Sequence, residues 1–461
     1  MKFVALCPPE WLSRSAVYQI NPRTFSSEGT IAAVTAELPA LREMGFRIVY
    51  LCPIFEEDDS AERTGWSDRQ RASGTDNPKN PYRMNNYFKI DSEYGTEDDL
   101  RTLTEAAHAL DMKVLLDLVY LHIGPNAPIL GRHPEFAKQA PDGTILNTMW
   151  HFPALDFTSE GLREYLFCNM IYYIGEIDVD GFRCDVLDFI AKDFDRGLML
   201  NGPHLHEYIH ELFGREKVRH LFTVGECQSD EQTICDICGK TRDELKSVFQ
   251  FEHIHLGRSD KYTPAPYTGD EIRNVLVKWQ DFTAARDLNY ILFTDNHDQP
   301  YYISRLGNDR ALRYECATAY AAMFYLLRGI PFLYEGQEFG SANSHYEDIA
   351  AFNDVESVNY YHANEGKKPH DLLIREINYG SRDNTRRPMA WTDDPAHHFG
   401  FTTGEPWLPM PSRAAEINLA RDLASEKSVY RFYREVLRLR ASSDAVKDGV
   451  FRDLTRTPGS F

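Results

Sequence analysis

The sequence predicts an α/β fold, a closed (β/α)8 barrel of parallel strands, on two observations. Short apolar runs alternate with longer helical stretches along most of the chain. Acidic residues recur where those runs stop, which is where a parallel barrel gathers its chemistry. The 461 residues, 43% of them hydrophobic, exceed what one core usually holds, so one large domain with insertions and a smaller appendage is expected.

The first strand falls near Ala16–Ile20 (AVYQI), and a helical pattern at Ile31–Met44 is stopped by Gly45. Ile48–Ile54 is a nearly continuous apolar run, as expected of a strand buried on both faces. Thr96 has the form of an N-cap with Asp99 as the acid of a capping box, and the helix it opens runs to about Leu110. Val114–Val119 is the third strand. From His122 to Asp156 glycine, proline and asparagine break the rhythm, which marks an insertion. A helix from about Ser159 to Gly175 follows, then short strands near Gly181–Asp185, Leu221–Gly225, Val248–Phe251, Ile291–Thr294 and Pro331–Tyr334. The tail from about Val446 to Phe461 has the pattern of an opening strand of something cut short. The expected division is a barrel over 1–121 and 158–443, a short insertion domain over 122–157, and the start of a truncated C-terminal β domain over 444–461.

A net charge of -20 repels phosphate backbones, so neither nucleic acid nor an anionic membrane surface is an expected partner. The opening MKFVALCPPEW lacks the long apolar core of an export signal, and no run approaches the roughly 20 apolar residues of a membrane span. The eight cysteines are expected to be reduced thiols in a cytoplasmic protein. Cys235 and Cys238 form a C-x-x-C followed by His253 and His255, but those histidines stand only two apart, closer than zinc modules space them. They are expected to be a loop cysteine pair and two strand histidines, with no metal and no cofactor.

Asp117 ends the third strand, Asp185 the fourth; Glu226 follows the fifth and Asp298 the seventh. A carboxylate so near a core is costly unless paired or used. One alone would read as a loop cap, whereas four in the same relative place point to a site. Arg183 lies two residues before Asp185, so both point the same way, and its charge is expected to lower the aspartate's pKa. Two carboxyls about 5–5.5 Å apart can cleave a glycosidic bond with retention, one attacking the anomeric carbon and the other protonating the leaving oxygen. His122 and His297 lie beside the same rim and suit sugar hydroxyls as hydrogen-bond donors.

These segments resemble the α-amylase family, glycoside hydrolase family 13. DLVYLH (117–122) looks like that family's D-x-V-x-N-H, GFRCD (181–185) matches its G-F-R-x-D, VGE (224–226) is similar to its fifth-strand segment, and NHDQP (296–300) matches the segment with its third carboxylate. VYQINPRTF, YGTEDDL and GIPFLYEGQEFG agree with the flanking segments, and the likeness covers about residues 15–440. SRDNTRRPMAW (381–391), FGFTTGEPWLP (399–409) and VFQFEH (248–253) place it nearest the oligo-1,6-glucosidase and α-glucosidase group. The resemblance implies that Asp185 is the nucleophile, Glu226 the general acid/base with a raised pKa, and Asp298 the carboxylate that favours the distorted ring. It further implies that Asp117, His122, Arg183 and His297 bind the attacked sugar, and that Tyr82 stacks on it. Val186, just after the nucleophile, accompanies α-1,6 specificity in that group; it is equally a β-branched strand-end residue.

Three departures qualify the likeness. Leu121 stands where the family has an asparagine that often ligates calcium, and FSSEGT (25–30) lacks a calcium loop, so no calcium is expected at either place. Arg83 replaces an aspartate, and Lys79 stands near the position of an acid that recognises the sugar's non-reducing end. With Arg69 and Arg71 they form a basic segment, either a solvated loop or a contact for an anionic sugar. The insertion is short, about 35 residues, and the family's C-terminal β-sandwich is mostly missing. The expected function is hydrolysis of short α-linked gluco-oligosaccharides. A transglycosylase or isomerising enzyme such as trehalose synthase shares the intermediate, and a non-catalytic carbohydrate-binding relative would have lost the carboxylates retained here.

Overall fold

A computed structural model describes residues 9–58, 80–239, 244–286 and 288–455. Eight parallel strands form its centre: β1 (Val17–Ile20), β2 (Ile48–Leu51), β3 (Lys113–Leu118), β4 (Gly181–Cys184), β5 (Phe222–Glu226), β6 (Ser247–Phe249), β7 (Ile291–Leu292) and β8 (Ile330–Tyr334). They pair in the order β6-β5-β4-β3-β2-β1-β8-β7. A parallel bridge between Val248 and Tyr290 joins the two ends, so the sheet closes into the predicted barrel. Aromatic side chains fill its interior: Phe249 lies 5.0 Å from Phe332 and 5.2 Å from Phe293, ring centre to ring centre.

The helix Ile31–Met44 ends at Gly45, whose φ of 114° is left-handed. The capping box of Thr96 and Asp99 opens the helix Glu97–Ala109 as read from the sequence. Gly181 is fixed by packing, since a Cβ there would lie 2.0 Å from the carbonyl oxygen of Phe222 on β5.

Three stretches differ from the sequence reading. The apolar run at 48–54 holds a strand, a bend and the start of a second strand: β2 stops at Leu51, and Phe55–Glu57 turns away to pair antiparallel with Met84–Ile90. Hydrophobicity runs unbroken through that bend, so periodicity does not mark it. Cys235 and Cys238 lie on the helix Glu231–Cys238, and His253 and His255 on the short helix Glu252–His255, not in a loop and a strand. In the tail, Asp444–Asp448 is a short helix whose cap, the Ser443 side chain, accepts from the Val446 amide, and residues 449–455 carry no strand. The expected opening strand is therefore not formed there; 456–461 lie outside the described residues.

After β3 the insertion folds on itself through narrow bridges, His122 with Ala154 and Asn147 with Pro153. After β8 a long segment carrying the helices Val355–Asn364 and His370–Gly380 returns over the same end of the barrel. Among the described residues no helix is long and apolar enough to cross a membrane.

Candidate active site

The C-terminal ends of the barrel strands open into a pocket of about 940 Å³, part of it open to solvent. Asp185, Val186, Glu226 and Asp298 line it from the strand ends, His122, Trp150 and Phe152 from the insertion, and Asp354, Arg382 and Arg386 from the segment after β8.

At its floor one guanidinium joins three carboxylates. Arg183 Nη1 donates to both oxygens of Asp117 at 2.9 Å and to Asp185 Oδ1 at 2.9 Å, while Nη2 donates to Glu226 Oε2. Asp185 and Glu226 are thereby brought within the span of a single side chain. Asp117 is buried beneath them and does not line the pocket. It accepts from Tyr50 Oη at 2.5 Å and Tyr82 Oη at 3.0 Å as well as from Arg183. Its geometry is that of a group that orients Arg183 and the Tyr82 hydroxyl.

Burial pushes the Asp185 carboxyl well above its ordinary range, against the pull of Arg183, and the charges of Glu226, Asp117 and Asp298 push the same way. Arg183 pulls this pKa downward, the direction expected of it, and burial outweighs that pull. Glu226 is raised as well, again chiefly by burial, with Arg183 opposing.

Asp298 has the opposite character. Burial disfavours its charge, yet His297 and Arg386 hold its carboxyl well below the usual range. Arg386 Nη2 donates to Oδ1 at 2.5 Å, His297 Nε2 lies 3.1 Å from Oδ2, and Arg386 Nε donates to the His297 carbonyl at 3.0 Å. The pocket thus holds two carboxyls with raised proton affinity beside one with lowered affinity.

Tyr82 and His297 form a stacked wall, ring centres 5.2 Å apart and planes 6° apart, with Tyr82 Oη 2.6 Å from His297 Nε2. Tyr82 lines the catalytic pocket, while His297 faces a smaller chamber behind it with Asn21, Cys52 and Trp407. His122 is kept neutral by burial, its pKa lowered to about 3. Its Nε2–H donates to the Tyr82 carbonyl at 3.0 Å, so the ring fastens the Tyr82 segment to the insertion. Val186 adopts φ 35°, ψ 54°, a left-handed conformation that costs a β-branched residue about 1–3 kcal/mol. That bend turns the chain just after Asp185 and sets Val186 in the pocket wall.

The site residues read from the sequence all gather here, Asp117 and Arg183 beneath the pocket and His297 behind it. Sequence reading missed Asp354, Arg382 and Arg386, which form a charged wall: Arg382 donates to Asp354 Oδ1 at 2.6 Å and lies 3.6 Å from Asp298. It also missed Trp150 and Phe152. The signal for the arginines was the run SRDNTRRPMAW, whose two positions four apart face one cleft. Arg83, of the basic segment, is 1% exposed and 3.6 Å from Asp58, so it is not a solvated residue. Arg69, Arg71 and Lys79 lie outside the described residues. Among the described residues no group of three His, Cys, Asp or Glu side chains is placed to hold a metal ion.

A parallel barrel with a cluster of buried, arginine-linked carboxyls at its C-terminal mouth defines a carboxylate-based barrel enzyme. The chain belongs to the α-amylase family: residues 14–138 and 145–449 match the family described as Alpha amylase, catalytic domain. It is 29% identical over 504 residues to an oligo-1,6-glucosidase of Bacillus cereus, covering 96% of this chain and 86% of that protein. It is also 29% identical over 505 residues to a trehalose-6-phosphate hydrolase of Bacillus subtilis (strain 168), covering 97% and 85%. The crystal structure of the trehalose-6-phosphate hydrolase TreA of Bacillus licheniformis superposes with a TM-score of 0.83 at 26% identity, over 95% of this chain and 85% of that one.

Proposed function

We propose that this protein is a retaining α-glycosidase that hydrolyses short α-linked gluco-oligosaccharides through a covalent glycosyl-enzyme. The observation that carries this reading is the sharing of one guanidinium by Asp185 and Glu226 at the floor of a sugar-sized pocket. Asp185 attacks the anomeric carbon as Glu226 protonates the departing oxygen. Glu226, now ionised, takes a proton from water, and that water releases the sugar from Asp185. Asp298, kept ionised by Arg386 and His297, accepts hydrogen bonds from ring hydroxyls and stabilises the positive charge that develops on the ring. Arg183 and Asp117 fix the carboxylates, and Tyr82, with His297 behind it, walls the sugar's ring.

The finer assignments rest on neighbouring features. Val186 in the pocket wall, just after the proposed nucleophile, supports a preference for α-1,6 linkages. All seven cysteines among the described residues are free thiols, which supports a reducing, cytoplasmic setting. Turnover of maltose, isomaltose, sucrose, trehalose and their 6-phosphates, with products resolved and with an added acceptor sugar, tests the assignment. Release of α-glucose from isomaltose supports it; products of inverted configuration, or no turnover of any α-glucoside, refute it. Transfer to the acceptor in place of release to water would make the protein a transglycosylase.

A further inference from the structure

Lys192 follows the turn Leu187–Phe189 after β4, and its ammonium lies outside the catalytic pocket. Nζ donates to the Phe189 carbonyl at 2.7 Å and to the Leu121 carbonyl at 3.0 Å. Those two oxygens belong to separate parts of the site. Phe189 ends the turn that begins at Asp185 and passes through the left-handed Val186. Leu121 is the last residue before the insertion, and its carbonyl also accepts from the Leu155 amide at 3.3 Å. Both roots of the insertion therefore meet at the oxygen that Lys192 holds.

We infer that Lys192 is a positioning residue whose side-chain nitrogen, donating to both carbonyls, clamps the insertion wall, with His122, Trp150 and Phe152, onto the turn that carries Asp185 and Val186. The inference rests on the glycosidase reading only where it concerns turnover. Other polar anchors of the turn run away from the insertion: Asp188 Oδ2 accepts from the Gln228 amide at 2.6 Å and from the Ser229 hydroxyl, in the loop after β5, and the Asp188 carbonyl accepts from the Asn201 amide at 3.0 Å. Across the seam to the insertion, Trp150 packs edge-on to Phe189 with ring centres 5.6 Å apart, an apolar contact that sets distance more than direction. The clamp supplies direction, because two carbonyl lone pairs converge on one nitrogen. Burial lowers the lysine's pKa to about 7, while Asp156 at the far root of the insertion, itself 3.3 Å from Lys138, opposes that loss. A left-handed β-branched residue persists only where its surroundings over-determine it, and Lys192 is part of what fixes Val186.

The test uses the full chain as Lys192→Met, Lys192→Arg and Lys192→Ala, read by hydrogen exchange with mass spectrometry and by turnover. Lys192→Met is expected to exchange faster over 144–155 and 185–191 with the barrel strands unchanged, and Lys192→Arg to stay near the parent. The rate constant kcat of Lys192→Met falls by about 10- to 100-fold, the scale of a displaced catalytic group. In Lys192→Ala, n-propylammonium restores most of the lost rate and 1-propanol does not. Unchanged exchange in both segments of Lys192→Met, equal effects of Arg and Met, or equal rescue by 1-propanol would each overturn the inference. If Lys192→Met does not fold, the rescue of Lys192→Ala decides alone. A parent protein inactive on every α-glucoside would refute the glycosidase reading while leaving the exchange comparison intact.

Discussion

Arg183 and Asp185 stand two residues apart at the end of one strand, and Nη1 of the first donates to Oδ1 of the second at 2.9 Å. The same guanidinium serves Glu226 and Asp117, so its loss leaves three carboxyls without their shared cation. Arg183→Gln is expected to lower kcat/KM by at least about 10²-fold. It should also move the acidic limb of the pH–rate profile to higher pH, because an Asp185 carboxyl already raised by burial loses the charge that opposes the rise. An acidic limb that stays in place contradicts this role.

Glu226 must be protonated to act as an acid. Its folded pKa is raised, so the acid is present below that value and is lost as pH rises through it. Glu226→Gln is expected to abolish the basic limb and cut disaccharide turnover by about 10²–10⁴-fold. Aryl glucosides whose leaving group needs no proton should suffer less in the first step. Steady-state and burst kinetics on both substrate types measure the split.

The pairing of Arg386 with Asp298 sets the third carboxyl apart. Arg386→Met should raise the pKa of Asp298 and reduce kcat by about 10²-fold, with Asp298→Asn causing a loss no smaller. The double variant should lose less than the product of the single losses, since the two residues act as a unit. A fully multiplicative loss would show that they act separately.

Glu335 and Glu338 are fully buried at the end of β8, and burial raises their carboxyls to about 8 and about 7. In the fold both keep their protons in mild acid, whereas in the unfolded chain they ionise near pH 4.5. Their contribution to stability is full below that value and is lost as pH rises through 7 and 8. The thermal midpoint should fall from pH 5 to pH 9, and Glu335→Gln should flatten that slope. A parent protein whose midpoint is level across this range contradicts the assignment.

Much of the barrel was legible because a parallel strand buried on both faces must be written as a short apolar run, and because glycine and capping residues mark helix ends. Gly45 and the Thr96–Asp99 box fall where they were read. The bend within 48–57 was not legible, since hydrophobicity continues across it. The carboxyls at strand ends could be read from position alone. Arg382, Arg386 and Asp354 could not, because they reach the pocket from a segment folded back over the barrel mouth, a tertiary contact without local periodicity. The left-handed backbone of Val186 is equally invisible, as nothing in a β-branched residue announces it. The raised carboxyl of Asp185 was not legible, because spacing along a strand shows the nearest cation and not the burial that outweighs it.

Trapping the covalent intermediate asks most directly whether Asp185 is the nucleophile. The protein, inactivated with 5-fluoro-α-glucosyl fluoride, digested and sequenced by mass spectrometry, should carry one fluoroglucosyl ester on the peptide containing Asp185, absent from Asp185→Asn. An ester on Glu226 or Asp298, or inactivation without any ester, would contradict the account.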